Sequence, residues 1–399
     1  MLSLRQLYKI GKGPSSSHTM GPDKAARRFI DMYPDADKYK VVLYGSLAKT
    51  GVGHRTDWVL EQAFEGRSCN IVLEMNEEIE EHPNTMDFFA YYNSGESRTA
   101  RFYSVGGGDI RMKGEKIAPE EEIYNLNSFT AISEYCREKE ICIWQYVEEC
   151  EGSEIWDYLA EVWETMKAAV KEGLNAQGIL HGGLNIQRKA RYLYRQKHLD
   201  ETEETKTNRL VCAYAFAVSE QNASGGTIVT APTCGACGVV PAVLMFAQKK
   251  RNFTDEHILH ALATGGIVGN LIKTNASISG AECGCQAEIG TACAMAAAAI
   301  GELYELDLDQ IEYAAEMSIE HHLGLTCDPV KGLVQIPCIE RNAVAAMRAL
   351  NAVNLADFLA DSRKISFDMV VETMYETGKD LKVVYRETSE GGLASKYNA

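Results

Sequence analysis

The hydrophobic pattern changes period part-way along the chain, and that change limits the fold more than any other feature. From Lys40 to about Arg111, short β-rich runs (VVLY, NIVLEM, MDFFAYY and TARFYSV) alternate with Gly, Asn and Ser turns, the pattern of a small mixed sheet. Two helical patterns accompany them. One opens at Gly21 and Pro22, where Pro suits a first turn, and the other runs from about Thr56 to Phe64. Charge-rich helical patterning begins near Ser128, and Glu134 to Glu172 reads as a helical arm with few turn residues. After a polar run at 198–208, read as a solvated loop, Ala-rich segments of period 3.6 recur at about 208–221, 239–250, 255–272, 287–304, 308–322, 338–352 and 365–378. The expected architecture is an α+β N-terminal domain over residues 1–150, followed by an all-α domain over 151–399. No fixed-period repeat points to a solenoid.

At 399 residues the chain exceeds one ordinary core, which agrees with two domains. Lys and Arg number 40 against 56 Asp and Glu, a net charge of −16. That field repels polyanions and argues against nucleic acid or an anionic membrane as partner. The longest nearly uncharged apolar stretch, Ile289 to Ile300, falls short of the ~20 residues that cross a bilayer. The N-terminus carries Arg5, Lys9 and Lys12 among its apolar residues and has no signal-peptide core. A cytoplasmic protein is expected, with a homodimer as its assembly.

Twelve cysteines are many for a chain in a reducing compartment, where they form no stapling framework. Eight of them fall between Cys212 and Cys338, a crowding that marks a site. Cys285 precedes the apolar helix through Met295, Cys327 follows a helix stopped by Gly324, and Cys338 comes just after Pro337 at a helix start. A thiolate at a helix N-terminus is favoured by exposed amides and the macrodipole. The long gaps between the three do not match compact zinc knuckles or ferredoxin runs. From spacing alone, a metal site and ordinary buried thiols both stay open.

The segments GPSSSHTMGP (13–22), TGVGHRTD (50–57), HPNTM (82–86), FYSVGGG (102–108), NASISGAECGCQAEIG (275–290), GLTCDPVKGLVQIPCIERNA (324–343) and RETSEGGLA (386–394) closely resemble bacterial iron-sulfur-dependent L-serine dehydratases, with the family's β-type and α-type parts fused in one chain. The resemblance implies a lyase that converts L-serine to pyruvate and ammonia and is sensitive to oxygen. It implies a [4Fe–4S] cluster held by Cys285, Cys327 and Cys338. Three protein ligands would leave one iron open to act as a Lewis acid on the substrate. It makes His54 the expected base for the α-proton, with Thr56 beside it to orient ring or substrate. It makes Ser15, Ser16, Ser17, His18 and Thr19 the substrate loop, ahead of a helix start suited to a carboxylate, and His18 a second acid/base or carboxylate donor. Asn222, Asn275 and Ser277 are further candidates for the substrate's amino or carboxylate group.

Two features depart from the family's pattern. TAPTCGACG supplies a Cys234–Cys237 pair and Cys283 stands two residues from Cys285, while the end of the chain, SKYNA, has no cysteine of the kind some relatives place in the active site. The rival readings are a pyridoxal-phosphate dehydratase with Lys273 as Schiff-base lysine, and a thiol redox or metal-binding protein built on Cys234 and Cys237. Substrate choice among serine, threonine and cysteine is below the resolution of sequence, because one methyl shifts binding by only about 1–3 kcal/mol.

Overall fold

The alternating runs pair into one five-stranded sheet in the computed structural model, which describes residues 1–77, 79–115, 121–196, 200–359 and 362–397. The strands are β1 (Lys38–Tyr44), β2 (Cys69–Glu74), β3 (Thr85–Tyr91), β4 (Ser97–Gly106) and β5 (Asp109–Met112), in the order β2-β1-β3-β4-β5. β1 and β2 are parallel, with Val41 opposite Ile71 and Leu43 opposite Leu73. That pairing requires a crossover, and the helix Thr56–Ala63 lies within it. The remaining pairs are antiparallel, with Phe88 of β3 opposite Val41 on one side and Ala100 on the other. The inward face, Val41, Leu43, Phe88 and Phe102, packs against Ala25, Ala26, Phe29 and Ile30 of helix Gly21–Met32. Phe88 meets Phe102 edge to face at 5.5 Å, the arrangement ring quadrupoles favour.

The other unit is helical. At its centre is Thr291–Leu303 (TACAMAAAAIGEL), in which every residue but Glu302 is buried. A helix apolar all round must be covered all round, and helices Val239–Arg251, Asp255–Asn275, Leu308–Glu320 and Cys338–Leu359 pack on it. Small residues set the spacing: a Cβ at Gly265 would sit 2.6 Å from the Met295 carbonyl, and one at Gly269 equally close to the Met295 sulfur.

By contacts, one compact unit comprises Gly11–Pro119 with Ser224–Gly226, and the other Met1–Ile10, Glu120–Ala223 and Thr227–Ala399. The division differs from a single cut near residue 150. The first ten residues belong with the helices because Leu4, Leu7 and Tyr8 are buried there, Leu4 and Tyr8 against Gly266 and Leu7 against Gly269. The Tyr8 hydroxyl also donates to the Leu262 carbonyl at 2.9 Å. The arm expected over 134–172 is three helices, Phe129–Lys139, Ile143–Glu151 and Glu154–Asn175. The polar run at 198–208 is not all loop. His198 and Leu199 lie outside the described residues, but helix Glu203–Ala223 begins within the run. The Thr202 hydroxyl accepts from the Thr205 amide at 3.1 Å, and Glu203 and Glu204 occupy the first turn, where the dipole favours acids. Among the described residues, no helix is long and apolar enough to cross a membrane.

Gly173, inside helix Glu154–Asn175, shows how tight this packing is: its Cβ would stand 2.2 Å from the Ala217 carbonyl oxygen of the neighbouring helix. Helix propensity alone predicts that Gly173→Ala stabilises by about 1 kcal/mol. Overlap with backbone outweighs this, so the expected net loss is about 1–3 kcal/mol. A urea midpoint equal to or above wild type would show that these helices are not held this close.

Candidate active site

In the sheet unit, the Ser15–Met20 segment makes a widened helical turn that leads into helix Gly21–Met32. Ser15 caps it: its carbonyl accepts from the Thr19 and Met20 amides, and its hydroxyl accepts from the His18 amide at 3.2 Å. Ser16 opens the turn, and Ser15 and Ser17 hydroxyls lie 3.3 Å apart. The His18 ring is held at both nitrogens, Nδ1 by Ser17 Oγ at 2.8 Å and Nε2 by Ser46 Oγ at 2.9 Å. The rings of His18 and His54 face each other with centroids 4.7 Å apart. Two threonines cross-link the pair through backbone, Thr19 Oγ1 donating to the His54 carbonyl at 2.8 Å and Thr56 Oγ1 to the His18 carbonyl at 2.6 Å. Ser104 Oγ donates to the Ser17 carbonyl at 2.6 Å. Gly21 must be glycine for that contact, since its Cβ would meet Ser104 Oγ at 2.2 Å.

Burial, and then the neighbouring His54, push the His18 pKa down to about 3. His18 is therefore neutral at ordinary pH and has one N–H to give and one lone pair to receive. The expected loop residues and the expected base thus form one hydrogen-bonded group. Ser46 and Ser104 complete it and were not among the residues singled out from sequence; Ser104 sits inside the FYSVGGG segment, and nothing local to YGSLA marks Ser46.

In the helical unit, Cys285 precedes the turn Gln286–Gly290, which runs directly into helix Thr291–Leu303. Gln286 pins this turn by donating from its amide to the Leu325 carbonyl at 3.2 Å and accepting from the Gly324 amide at 2.8 Å. Cys327 is held in extended backbone against the C-terminal segment, its amide donating to the Tyr385 carbonyl at 2.8 Å and its carbonyl accepting from the Glu387 amide at 2.7 Å. Cys338 opens helix Cys338–Leu359.

The fold brings these three cysteines together. Cys285, Cys327 and Cys338 lie close enough to act on one another's ionisation. The neighbouring Cys285, then burial, raises the Cys327 pKa well above its ordinary value. Burial, then Cys285 and Glu288, raises that of Cys338. Glu288 is half-buried, with the Thr233 hydroxyl donating to it at 2.6 Å, and Glu387 is exposed beside the group. Gly280 is small because a Cβ there would stand 3.0 Å from the Cys327 sulfur and 2.7 Å from Glu288 Oε2. Arg341 lies among these acids. Its guanidinium donates to the Thr326 carbonyl at 2.6 Å and to Asp328 Oδ1 at 2.9 Å, and its charge lies near Cys285.

Soft thiols crowded together are a donor set suited to iron and sulfide. Among the described residues, no three His, Cys, Asp or Glu side chains converge on a point that would hold a single metal ion. A multinuclear cluster does not need that convergence, because each iron takes its own thiolate.

The other candidates have partners of their own. Asn275 donates to the Asn127 carbonyl at 2.7 Å, and Ser277 donates to Glu282 Oε2 at 2.7 Å. Asn222 is buried near the end of helix Glu203–Ala223. Cys283 packs on Gly378, whose Cβ would lie 2.7 Å from its sulfur. Cys234 and Cys237 are fully buried in a turn fixed by Asn342, which donates to the Gly235 carbonyl and accepts from the Gly238 amide. Lys273 gives its ammonium to the Gln6 carbonyl at 2.9 Å. Glu288, Arg341, Asp328 and Glu387 were not singled out from sequence, although each lies inside one of the long segments that carry the family resemblance.

Models of two known chain types account for almost the whole sequence: the serine dehydratase beta chain over residues 3–70 and the serine dehydratase alpha chain over 72–394. The chain belongs to the serine dehydratase family. It is 39% identical to L-serine dehydratase 1 of Escherichia coli (strain K12) over 99% of both chains. It is 38% identical to L-serine dehydratase of Streptomyces coelicolor and 35% identical to L-serine dehydratase of Helicobacter pylori, in each case over 98% of both chains. The family is one of lyases, and the structure has the α+β then all-α order read from the pattern.

The depressed His18 pKa has a direct check. The unfolded ring takes a proton near pH 6.5 and the folded ring does not, so His18 contributes stability above that pH and loses it as pH falls toward 3. The His18 ring nitrogens should keep neutral-imidazole 15N shifts from pH 8 down to pH 5. A His18 signal that titrates near its ordinary value would show the ring to be open to solvent.

Proposed function

We propose that this chain is an L-serine ammonia-lyase that converts L-serine to pyruvate and ammonia. One observation carries the reading: Cys285, Cys327 and Cys338, far apart in sequence, are gathered into one group beside an arginine. The names and near-complete coverage of the relatives support the substrate. Those three thiols would hold a [4Fe–4S] cluster, whose iron without a protein thiolate supplies a Lewis acid for the carboxylate and β-hydroxyl of the substrate.

His54 takes the α-proton. Its backbone is held by Thr19 and its ring lies against neutral His18, centroids 4.7 Å apart. His18, held at both nitrogens by serine hydroxyls, packs on and positions the base. Ser15, Ser16 and Ser17 offer hydroxyls and amides to the substrate carboxylate, and Thr19, bonded to Ser15 and His54, holds the loop in place. Loss of water leaves an enamine, which tautomerises and hydrolyses to pyruvate and ammonia. A homodimer in the cytoplasm and loss of activity in air complete the proposal.

The test is anaerobic reconstitution with iron and sulfide, followed by pyruvate assays with serine, threonine and cysteine. Cys285→Ala, Cys327→Ala and Cys338→Ala should each lose the brown chromophore and pyruvate formation together. His54→Ala should keep the chromophore and lose turnover by about 10²–10⁴-fold, the usual weight of a general base. Undiminished turnover in His54→Ala removes the base assignment, and full activity in iron-free protein overturns the reading as a whole.

A further inference from the structure

Three cysteines drawn from separate stretches of chain need something that fixes their spacing, and one side chain touches all three stretches. Arg341 stands three residues after Cys338 in the helix that Cys338 opens, so it lies one turn along on the same side. Its guanidinium donates to the Thr326 carbonyl and to Asp328 Oδ1, the residues on either side of Cys327, and its charge lies near Cys285. Asp328, buried, in turn accepts from the Leu393 amide at 2.7 Å, which ties the C-terminal segment to the same clamp.

Arg341 is also the cation of this group. Its guanidinium is bonded to the residues on both sides of Cys327 and stands one turn from Cys338, so its fixed charge bears on both. A guanidinium suits both tasks, because it carries a fixed charge and presents five donors in a rigid plane. We infer that Arg341 is the positioning residue of the three-cysteine site, holding the three cysteine segments in register through its fork and setting the electrostatic potential at the cluster through its charge. The inference rests on the reading of Cys285, Cys327 and Cys338 as cluster ligands.

The two roles separate by substitution in the anaerobically loaded full-length protein. Arg341→Gln removes the charge and part of the fork. Its cluster should show a more negative reduction midpoint, since a nearby positive charge favours the reduced form, and should lose iron to a chelator at least about tenfold faster, the weight of one to two lost hydrogen bonds. Arg341→Lys keeps the charge without the fork, so its midpoint should stay near wild type while iron release remains fast. A residue that merely packed would leave the midpoint unmoved in both variants.

Wild-type midpoint and wild-type iron release in Arg341→Gln overturn the inference. Should that variant fail to fold, Arg341→Lys decides alone, and iron release at the wild-type rate overturns the clamp. A wild-type protein that loads no cluster overturns this inference and the underlying reading together. A wild type that loads and forms pyruvate, with variants indistinguishable from it, sinks the Arg341 inference only.

Discussion

The cysteine site depends on close packing around one buried helix. Thr291–Leu303 is almost entirely alanine and other small or apolar residues, and its neighbours approach to the point where a single added methyl at Gly265 would overlap the Met295 backbone. Cys285 sits at the start of the turn that feeds this helix, Cys338 opens a second helix packed on it, and the loop that bears Cys327 follows a third. The spacing of the thiols is therefore inherited from helix–helix distances, which close-packed interiors hold to a fraction of an ångström. Side chains as short as cysteine have no reach with which to correct a misplaced helix.

Electrostatics works against the same site. The thiols of Cys327 and Cys338 stand near the carboxyls of Glu288 and Glu387, and each negative charge raises the cost of ionising the next. Arg341 is the positive charge set among them, bonded to the carboxylate of Asp328. The sheet unit shows the converse arrangement, in which neutral His18 is satisfied by hydroxyls alone.

The period change was legible because it reflects burial on one face of a sheet and on helix stripes, and strands and helices fall where the pattern puts them. The first ten residues were not, because Arg5 and Lys9 interrupt an apolar set whose partners, Gly266 and Gly269, lie more than 250 positions away in the sequence. The helix beginning at Glu203 was hidden for a related reason. Its first turns are polar, and acids that stabilise a helix start read as a solvated loop when periodicity is the only guide. The residues of the candidate site divide along similar lines. Cysteines and histidines are rare enough to be noticed, whereas Arg341 is one of many charges on helices and becomes distinctive only when its partners Thr326, Asp328 and Cys285 are brought to it.

One small arrangement carries a further consequence. Each nitrogen of the His18 ring meets a serine hydroxyl, and a hydroxyl gives or takes a hydrogen bond by rotating about a single C–O bond. The imidazole can thus exchange one tautomer for the other without tilting, provided both hydroxyls turn together. The ring is a fixed relay whose polarity reverses while its atoms stay in place.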